Sequence, residues 1–163
     1  MSLKHLIRLL AALVLCGAAN SATLTGTLPV SASVSHTCQN LVVASLIHGS
    51  YDPASAADND AQSTLSVQCT NTTPISFSAS TGIGTLAQRQ MGSGTNRLDY
   101  NLFTNSARTN VWGDGTGGTS TIAAVGAGLL AATSIPIFSR IPKGQSSVVP
   151  GSYSDSIVVT VTY

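Results

Sequence analysis

Apolar and polar residues alternate along most of this chain with a period of two. The final segment carries the pattern most clearly: Ile157, Val159, Val161 and Tyr163 share one parity, while Val158, Thr160 and Thr162 take the other. Successive side chains of a strand point to opposite faces, so this run predicts a β-strand with one apolar and one largely hydroxylated face. Comparable runs predict strands over 32–43, 64–69, 75–80, 98–104, 121–125 and 135–141. Turn residues separate them: Tyr51-Asp52-Pro53, Asn71-Thr72-Thr73-Pro74, the glycine-rich stretch 113–118, and Pro142-Lys143-Gly144. The stretch 123–132 has the apolar content of a short helix, but Gly126 and Gly128 weaken a helix there, and it reads as a strand end plus a loop. Short strands at this spacing predict an all-β fold built as a two-sheet sandwich.

The first strand-like run is unusually long. Leu24, Gly26, Leu28, Val30, Ala32 and Val34 lie on one parity, with mostly Thr and Ser between them. Fully extended, such a run covers about 40 Å, more than an ordinary strand. Pro29 interrupts it, because proline has no N–H to give to a ladder. Two readings fit these residues: a single long first strand, or two successive segments with different jobs, divided near Pro29.

What precedes this run changes the count of cysteines. A charged start (Lys4, His5, Arg8), an apolar run over 9–15 and a small-residue stretch over 17–22 have the layout of a secretory signal peptide, with cleavage expected after Ser21 and Ala22 as the next choice. The apolar run falls well short of the roughly 20 residues of a membrane-spanning helix, so no membrane span is expected. Cys16 follows Leu15 rather than a small residue, which argues against a lipoprotein anchor, and it leaves with the signal. Cys38 and Cys69 then remain as a pair in an oxidising compartment, and a disulfide between them is expected. In the chain-entropy picture such a bond contributes about 3 to 4 kcal/mol. Two cysteines without a nearby histidine pair make a poor zinc site, and no metal is expected. The expected organisation is a signal peptide over 1–21, an N-terminal segment over 22–31 and one domain over 32–163.

Charge narrows the function classes. Charged residues make up 8% of the chain, glutamate is absent, and beyond the signal Lys143 and four arginines face six aspartates. That balance offers no basic footprint for nucleic acid. A surface of Ser, Thr, Asn, Gln and Gly suits a protein exported into an assembly. His36, His48, Asp52 and Asp155, with Asp58, Asp60, Asp99 and Asp114, are the candidate acid–base residues, but no Gly-x-Ser-x-Gly elbow accompanies them. No catalytic residues, no cofactor and no enzymatic activity are expected. Gly113-Asp114-Gly115-Thr116-Gly117-Gly118 lacks the Lys-Ser/Thr of a phosphate loop and the acidic cluster of a calcium shell, and reads as a hairpin turn. Trp112, Tyr100 and Tyr153 read as core or groove-lining residues rather than a sugar-stacking platform. Asn71-Thr72-Thr73 matches a glycosylation sequon and reads as a plain turn.

Several motifs in order add to this: Cys38 after the alternating run, His48-Gly49-Ser50-Tyr51-Asp52-Pro53, Leu65-Ser66-Val67-Gln68-Cys69-Thr70, Arg89-Gln90-Met91, and Leu98-Asp99-Tyr100-Asn101-Leu102-Phe103. Val111-Trp112-Gly113-Asp114-Gly115, Arg140-Ile141-Pro142-Lys143-Gly144-Gln145 and Gly151-Ser152-Tyr153-Ser154-Asp155 follow. With these motifs the chain resembles the spore coat protein U domain family, which includes subunits of archaic, Csu-type chaperone–usher pili. His48 stands where that family usually has Phe, and Ser139 where Gly is common. The resemblance implies an incomplete immunoglobulin-like β-sandwich lacking its last strand, completed by donor-strand complementation. It implies a donor strand presenting Leu24, Gly26, Leu28 and Val30, and an acceptor groove whose chaperone-contacting last strand carries Ile157, Val159, Val161 and Tyr163. The implied partners are a periplasmic pilus chaperone, an outer-membrane usher and neighbouring pilin subunits joined head to tail. The implied role is a pilus or fimbrial subunit at the cell surface, supporting adhesion and biofilm formation. A spore-coat or extracellular matrix protein of the same fold is the alternative, and a fibre-tip adhesin would call for a further receptor-binding domain.

Overall fold

A computed structural model describes residues 21–163. The expected signal peptide, with Cys16, lies outside these residues except for Ser21. Residues 21–33 form a segment in no helix or strand, in which Leu24, Leu28 and Val30 are exposed. A separate compact unit begins at Val34 and runs to Tyr163.

That unit is all-β, with no helix among the described residues. Its strands are β1 (Cys38–Val43), β2 (Asn59–Cys69), β3 (Pro74–Ala79), β4 (Arg89–Ser93), β5 (Asn96–Phe103), β6 (Ile122–Val125), β7 (Thr133–Ile141) and β8 (Val159–Thr162). One sheet has the order β1-β2-β7-β5-β4 and the other β6-β3-β8, with every strand pair antiparallel. Period-two burial builds the core. β2 turns Leu65, Val67 and Cys69 inward, β3 turns Ile75, Phe77 and Ala79, β5 turns Leu98, Tyr100 and Leu102, and β7 turns Ile137, Ser139 and Ile141. Trp112 completes the core from the loop after β5, donating its indole N–H to the Phe77 carbonyl at 3.1 Å. Each large apolar side chain buried this way contributes about 1.5 to 3 kcal/mol.

The strands depart from the expected ranges for definable reasons. β1 starts at Cys38 instead of 32 because its partner β2 ends at Cys69, directly opposite Cys38, so residues 32–37 have no strand to pair with. β2 begins at Asn59 instead of 64, since Asn59 to Ser63 pair with β7 through polar residues such as Asp60 opposite Arg140. β4 carries Arg-Gln-Met-Gly-Ser, whose pattern contains no apolar alternation, and it was not anticipated. The stretch 113–118 forms a loop instead of a hairpin turn. The bridge at its base, Trp112 to Ser120, is parallel, and the Asp114 carboxylate accepts the N–H and hydroxyl of Thr116 at 2.9 and 2.6 Å.

Cys38 and Cys69 are joined by a disulfide between the first residue of β1 and the last of β2. Two residues on, β1 carries a bulge at Asn40, whose φ of 53° lies in the left-handed region. The extra residue reverses the side-chain parity, so Val43, and not Val42, shares the face of buried Leu65.

Candidate functional site

The two sheets differ by two strands, and the difference leaves one side of the sandwich open. Among the described residues β1 bonds only to β2, and β8 only to β3, so each presents there a row of unpaired N–H and C=O groups along its other edge. The side chains of β1 are correspondingly uncovered: Leu41, Val42 and Val43 are 41%, 58% and 47% exposed. A cavity of about 300 Å³ lies between these edges. Val43, Ala44 and Leu46 form one lip, Ile157 and Val159 the other, and Tyr100, Leu102, Trp112 and Ile137 the floor. A second hollow of about 650 Å³ shares Leu46, His48, Met91 and Tyr153 with the first and extends it past Ile47, Val149 and Pro150. The result is one elongated groove, apolar along its lips and floor between β1 and β8 and more polar in its extension, with two open strand edges.

β8 and the extended chain before it turn Ile157, Val159 and Val161 toward the core, and the first two line the cavity. Tyr163 lies beyond the last ladder pair, at Thr162, and is 56% exposed, outside the groove. Leu24, Gly26, Leu28 and Val30 sit in the separate N-terminal segment. Tyr100, Trp112 and Tyr153, read from the sequence as core or groove-lining residues, do line the cavity, with Leu102 and Ile137 added to the floor. The opposite lip was missed, although Leu41-Val42-Val43, three apolar residues in a row, marks a strand whose two faces are not alternately wet and dry.

Polar contacts hold the lips in place. Ser154 exchanges backbone hydrogen bonds with Gly92 of β4, at 2.8 and 3.1 Å, so the chain leading into β8 crosses from one sheet to the other. Asp155 fixes the crossing: its carboxylate accepts the Tyr100 hydroxyl at 2.7 Å, and the N–H groups of Ile83 and Ser156 at 3.2 and 2.7 Å. Burial first, and then the Asp155 carboxylate, holds the Tyr100 phenol well above its ordinary titration range. Gly82, at a φ of 62°, leaves room for that carboxylate, which a β-carbon there would strike.

Beneath the far end of the floor, the fully buried Arg89 guanidinium spans the sheets. It donates to Ser80 O at 3.0 and 2.7 Å, to Ala79 O at 3.5 Å and to Asn101 Oδ1 at 2.7 Å. Asn101 in turn donates to the carbonyls of Leu86 and Ala87 at 3.2 and 2.8 Å. No buried side-chain polar atom among the described residues lacks a partner.

His48 and Ser139 touch each other. His48 Nε2 lies 2.8 Å from Ser139 Oγ, and Nδ1 lies 3.0 Å from Asn59 Oδ1. Asn59 commits its amide N–H to Ser50 O at 3.0 Å, so its oxygen faces the ring and Nδ1 carries the proton. Ser139 is also 3.0 Å from Asn101 O, and its one hydroxyl proton serves either that carbonyl or a neutral Nε2. Burial lowers the His48 pKa; the Asn59 hydrogen bonds and Asp60 oppose the shift, and Arg108 adds to it. A histidine depressed on folding binds fewer protons in the native state, so its contribution is present above the unfolded value of about 6.5 and is lost as pH falls through that value toward the folded one. Stability is therefore expected to decline as pH falls from about 7 through about 6.5 and below. Urea midpoints measured across this range should fall in the wild type and lose that component in His48→Gln; equal slopes in both would refute the assignment.

The remaining acid–base candidates are used structurally. Asp60 pairs with Arg140 at 2.7 Å and Arg108 at 3.1 Å, Asp58 with Arg140 at 3.3 Å, and Asp99 accepts the amides of Gln88 and Gln90. Asp52 closes a turn through the Ala54 N–H, and His36 bonds Thr73 Oγ1 at 3.0 Å. Among the described residues no group of three or more His, Cys, Asp or Glu side chains is placed to hold a metal ion.

This geometry has relatives. The model of the Spore Coat Protein U domain matches residues 24–160. Protein U of Myxococcus xanthus is 31% identical over 170 residues, covering 94% of this chain and 92% of Protein U. The fold is similar to a chain in the crystal structure of the CsuC–CsuE chaperone–tip adhesion subunit pre-assembly complex from archaic chaperone–usher Csu pili of Acinetobacter baumannii, with a TM-score of 0.53 and 21% identity. That match covers 80% of this chain and 40% of the other. Family model, full-length relative and the two-sheet fold with its open side agree: the chain belongs to the spore coat protein U domain family.

Proposed function

We propose that this chain is a structural subunit of a chaperone–usher pilus or fimbria, exported through the periplasm and polymerised at the cell surface by donor-strand exchange. The observation that carries this reading is the apolar groove between two strand edges that each have one neighbour. An exposed groove and two free edges are a hazard to a protein alone in solution. A strand laid between β1 and β8 would satisfy both edges and cover Leu102, Trp112 and Ile137. The segment with Leu24, Gly26, Leu28 and Val30 on one face has the required alternation, and it is exposed. Burying its three larger side chains would contribute on the order of 5 to 9 kcal/mol before the costs of ordering. A periplasmic chaperone supplies the strand before assembly, an outer-membrane usher catalyses export, and the donor segment of the next subunit replaces the chaperone. The fibre then serves adhesion and biofilm formation. His48 and Asp155 serve as structural hydrogen-bonding groups here, in keeping with a non-enzymatic role.

Deleting residues 23–30 is expected to abolish fibres while the body remains folded and chaperone-bound. Wild-type levels of fibre from the deleted chain, seen by electron microscopy, would disprove donor-strand exchange. A second reading, a coat or matrix protein of resting cells with the same strand-exchange chemistry, is favoured by the similarity to Protein U over nearly the whole of both chains. Thin fibres on growing cells support the first reading, and confinement to spores the second.

A further inference from the structure

The ends of the groove differ, and the difference concerns how successive copies meet. β1 begins and β2 ends at one pole of the body, where Cys38 pairs with Cys69. The β6–β7 loop belongs to the same pole, since Gly128 N–H donates to Cys69 O and Thr72 N–H to Gly126 O. Thr162 of β8 pairs with Ser76, near the start of β3, so β8 finishes at this pole too. Ile157, at the start of the crossing strand, lies instead across from Val43 and Leu46 at the opposite pole. A donor strand antiparallel to β8 would therefore leave the groove at that opposite pole, where Ile47 is 77% and Val149 49% exposed.

Covalent length brings the second pole into play. From Val30, the last apolar donor residue, to Val34, the first residue of the compact body, the chain spans at most about 14 Å. The body that gives the strand must then lie against the body that receives it. The pole from which Val34 emerges carries Leu130, completely exposed at the tip of the β6–β7 loop, in a turn closed by Ala131 N–H to Gly128 O at 3.1 Å. Val34 itself is 90% exposed and Val125 60% exposed. Isolated exposed apolar residues are ordinary, but here each of the two surfaces brought together by a short tether carries exposed apolar side chains.

We propose that Leu130 and Val34 of one copy pack against Ile47 and Val149 of the next, a contact between bodies additional to the lent strand. It rests on the donor-strand reading with the lent strand antiparallel to β8, and it stiffens the joint between subunits. The test is a chain carrying Leu130→Cys and Ile47→Cys, assembled into fibres and mildly oxidised. A covalent ladder of multimers on boiled, non-reducing gels is expected, and absent when Leu130→Cys is combined with Ser106→Cys. Fibres that form without the ladder overturn the contact and leave strand exchange standing; fibres formed by the chain lacking residues 23–30 overturn strand exchange itself. Should the cysteine chain fail to assemble, Leu130→Ser provides the reading. Its fibres are expected to bend more easily, with a persistence length reduced severalfold in micrographs, and an unchanged persistence length refutes the proposal.

Discussion

Leu28→Asp is expected to stop fibre growth while leaving the stability of the body unaltered. Leu28 is 83% exposed, so a carboxylate there costs the free subunit almost nothing, within about 0.5 kcal/mol. In a groove floored by Leu102, Trp112 and Ile137 the same carboxylate must shed its water without gaining a partner, at a cost of several kcal/mol. That is comparable to the whole contribution of the remaining apolar donor side chains, Leu24 and Val30, about 3 to 6 kcal/mol. Thr27→Asp, on the opposite parity, should still assemble, because its side chain would face solvent. The comparison is read on unboiled gels, where polymers held by a lent strand migrate as a ladder, together with urea denaturation of each subunit. Normal ladders from Leu28→Asp, or loss of ladders from both variants alike, would sink the assigned parity.

Arg89→Ala should be the most damaging single change in the body. The guanidinium is entirely buried and serves three acceptors, Ser80 O, Ala79 O and Asn101 Oδ1, drawn from both sheets. Removing it strands those acceptors in the interior and opens a void, for a combined loss of about 3 to 5 kcal/mol. In a domain of this size that lowers the melting temperature by on the order of 10 °C or more. Arg89→Lys keeps the charge but not the planar fork, and should recover only part of the loss. Chemical denaturation of chaperone-free subunit gives the figure directly, and a loss below about 1 kcal/mol would show that the clamp is dispensable.

Much of the architecture was legible because period-two alternation survives wherever one face of a strand is buried. The β2, β3, β5 and β7 strands all have that one-sided burial, and each was found within a few residues. The Cys38–Cys69 pairing was legible from the cysteine count once Cys16 was assigned to the expected signal peptide. β4 was not, because what holds it is a buried cation and backbone bonds to Tyr100, Asp99 and their neighbours, neither of which leaves an apolar pattern. Of the groove, part of the floor (Tyr100, Trp112) and one lip were legible, and the other lip was not. β8 alternates, so Ile157, Val159 and Val161 announced a face, whereas β1 carries the Asn40 bulge, which shifts parity partway along the strand and hides which of Leu41, Val42 and Val43 looks inward. Tyr163 followed the alternation in sequence but has no ladder partner to hold it against the core.

The bond between Cys38 and Cys69 acquires a mechanical meaning when the chain is pulled. Tension arriving along residues 21–33 enters the body at Val34 and reaches Cys38, the first residue of β1. An edge strand pulled from its end unzips one ladder bond at a time, and β1 is both an edge and a groove lip. The disulfide passes the load at that first residue to β2, which is braced on both sides by β1 and β7. If the chain assembles as proposed, force on a subunit's own tether therefore bypasses the lip that grips the strand of its neighbour.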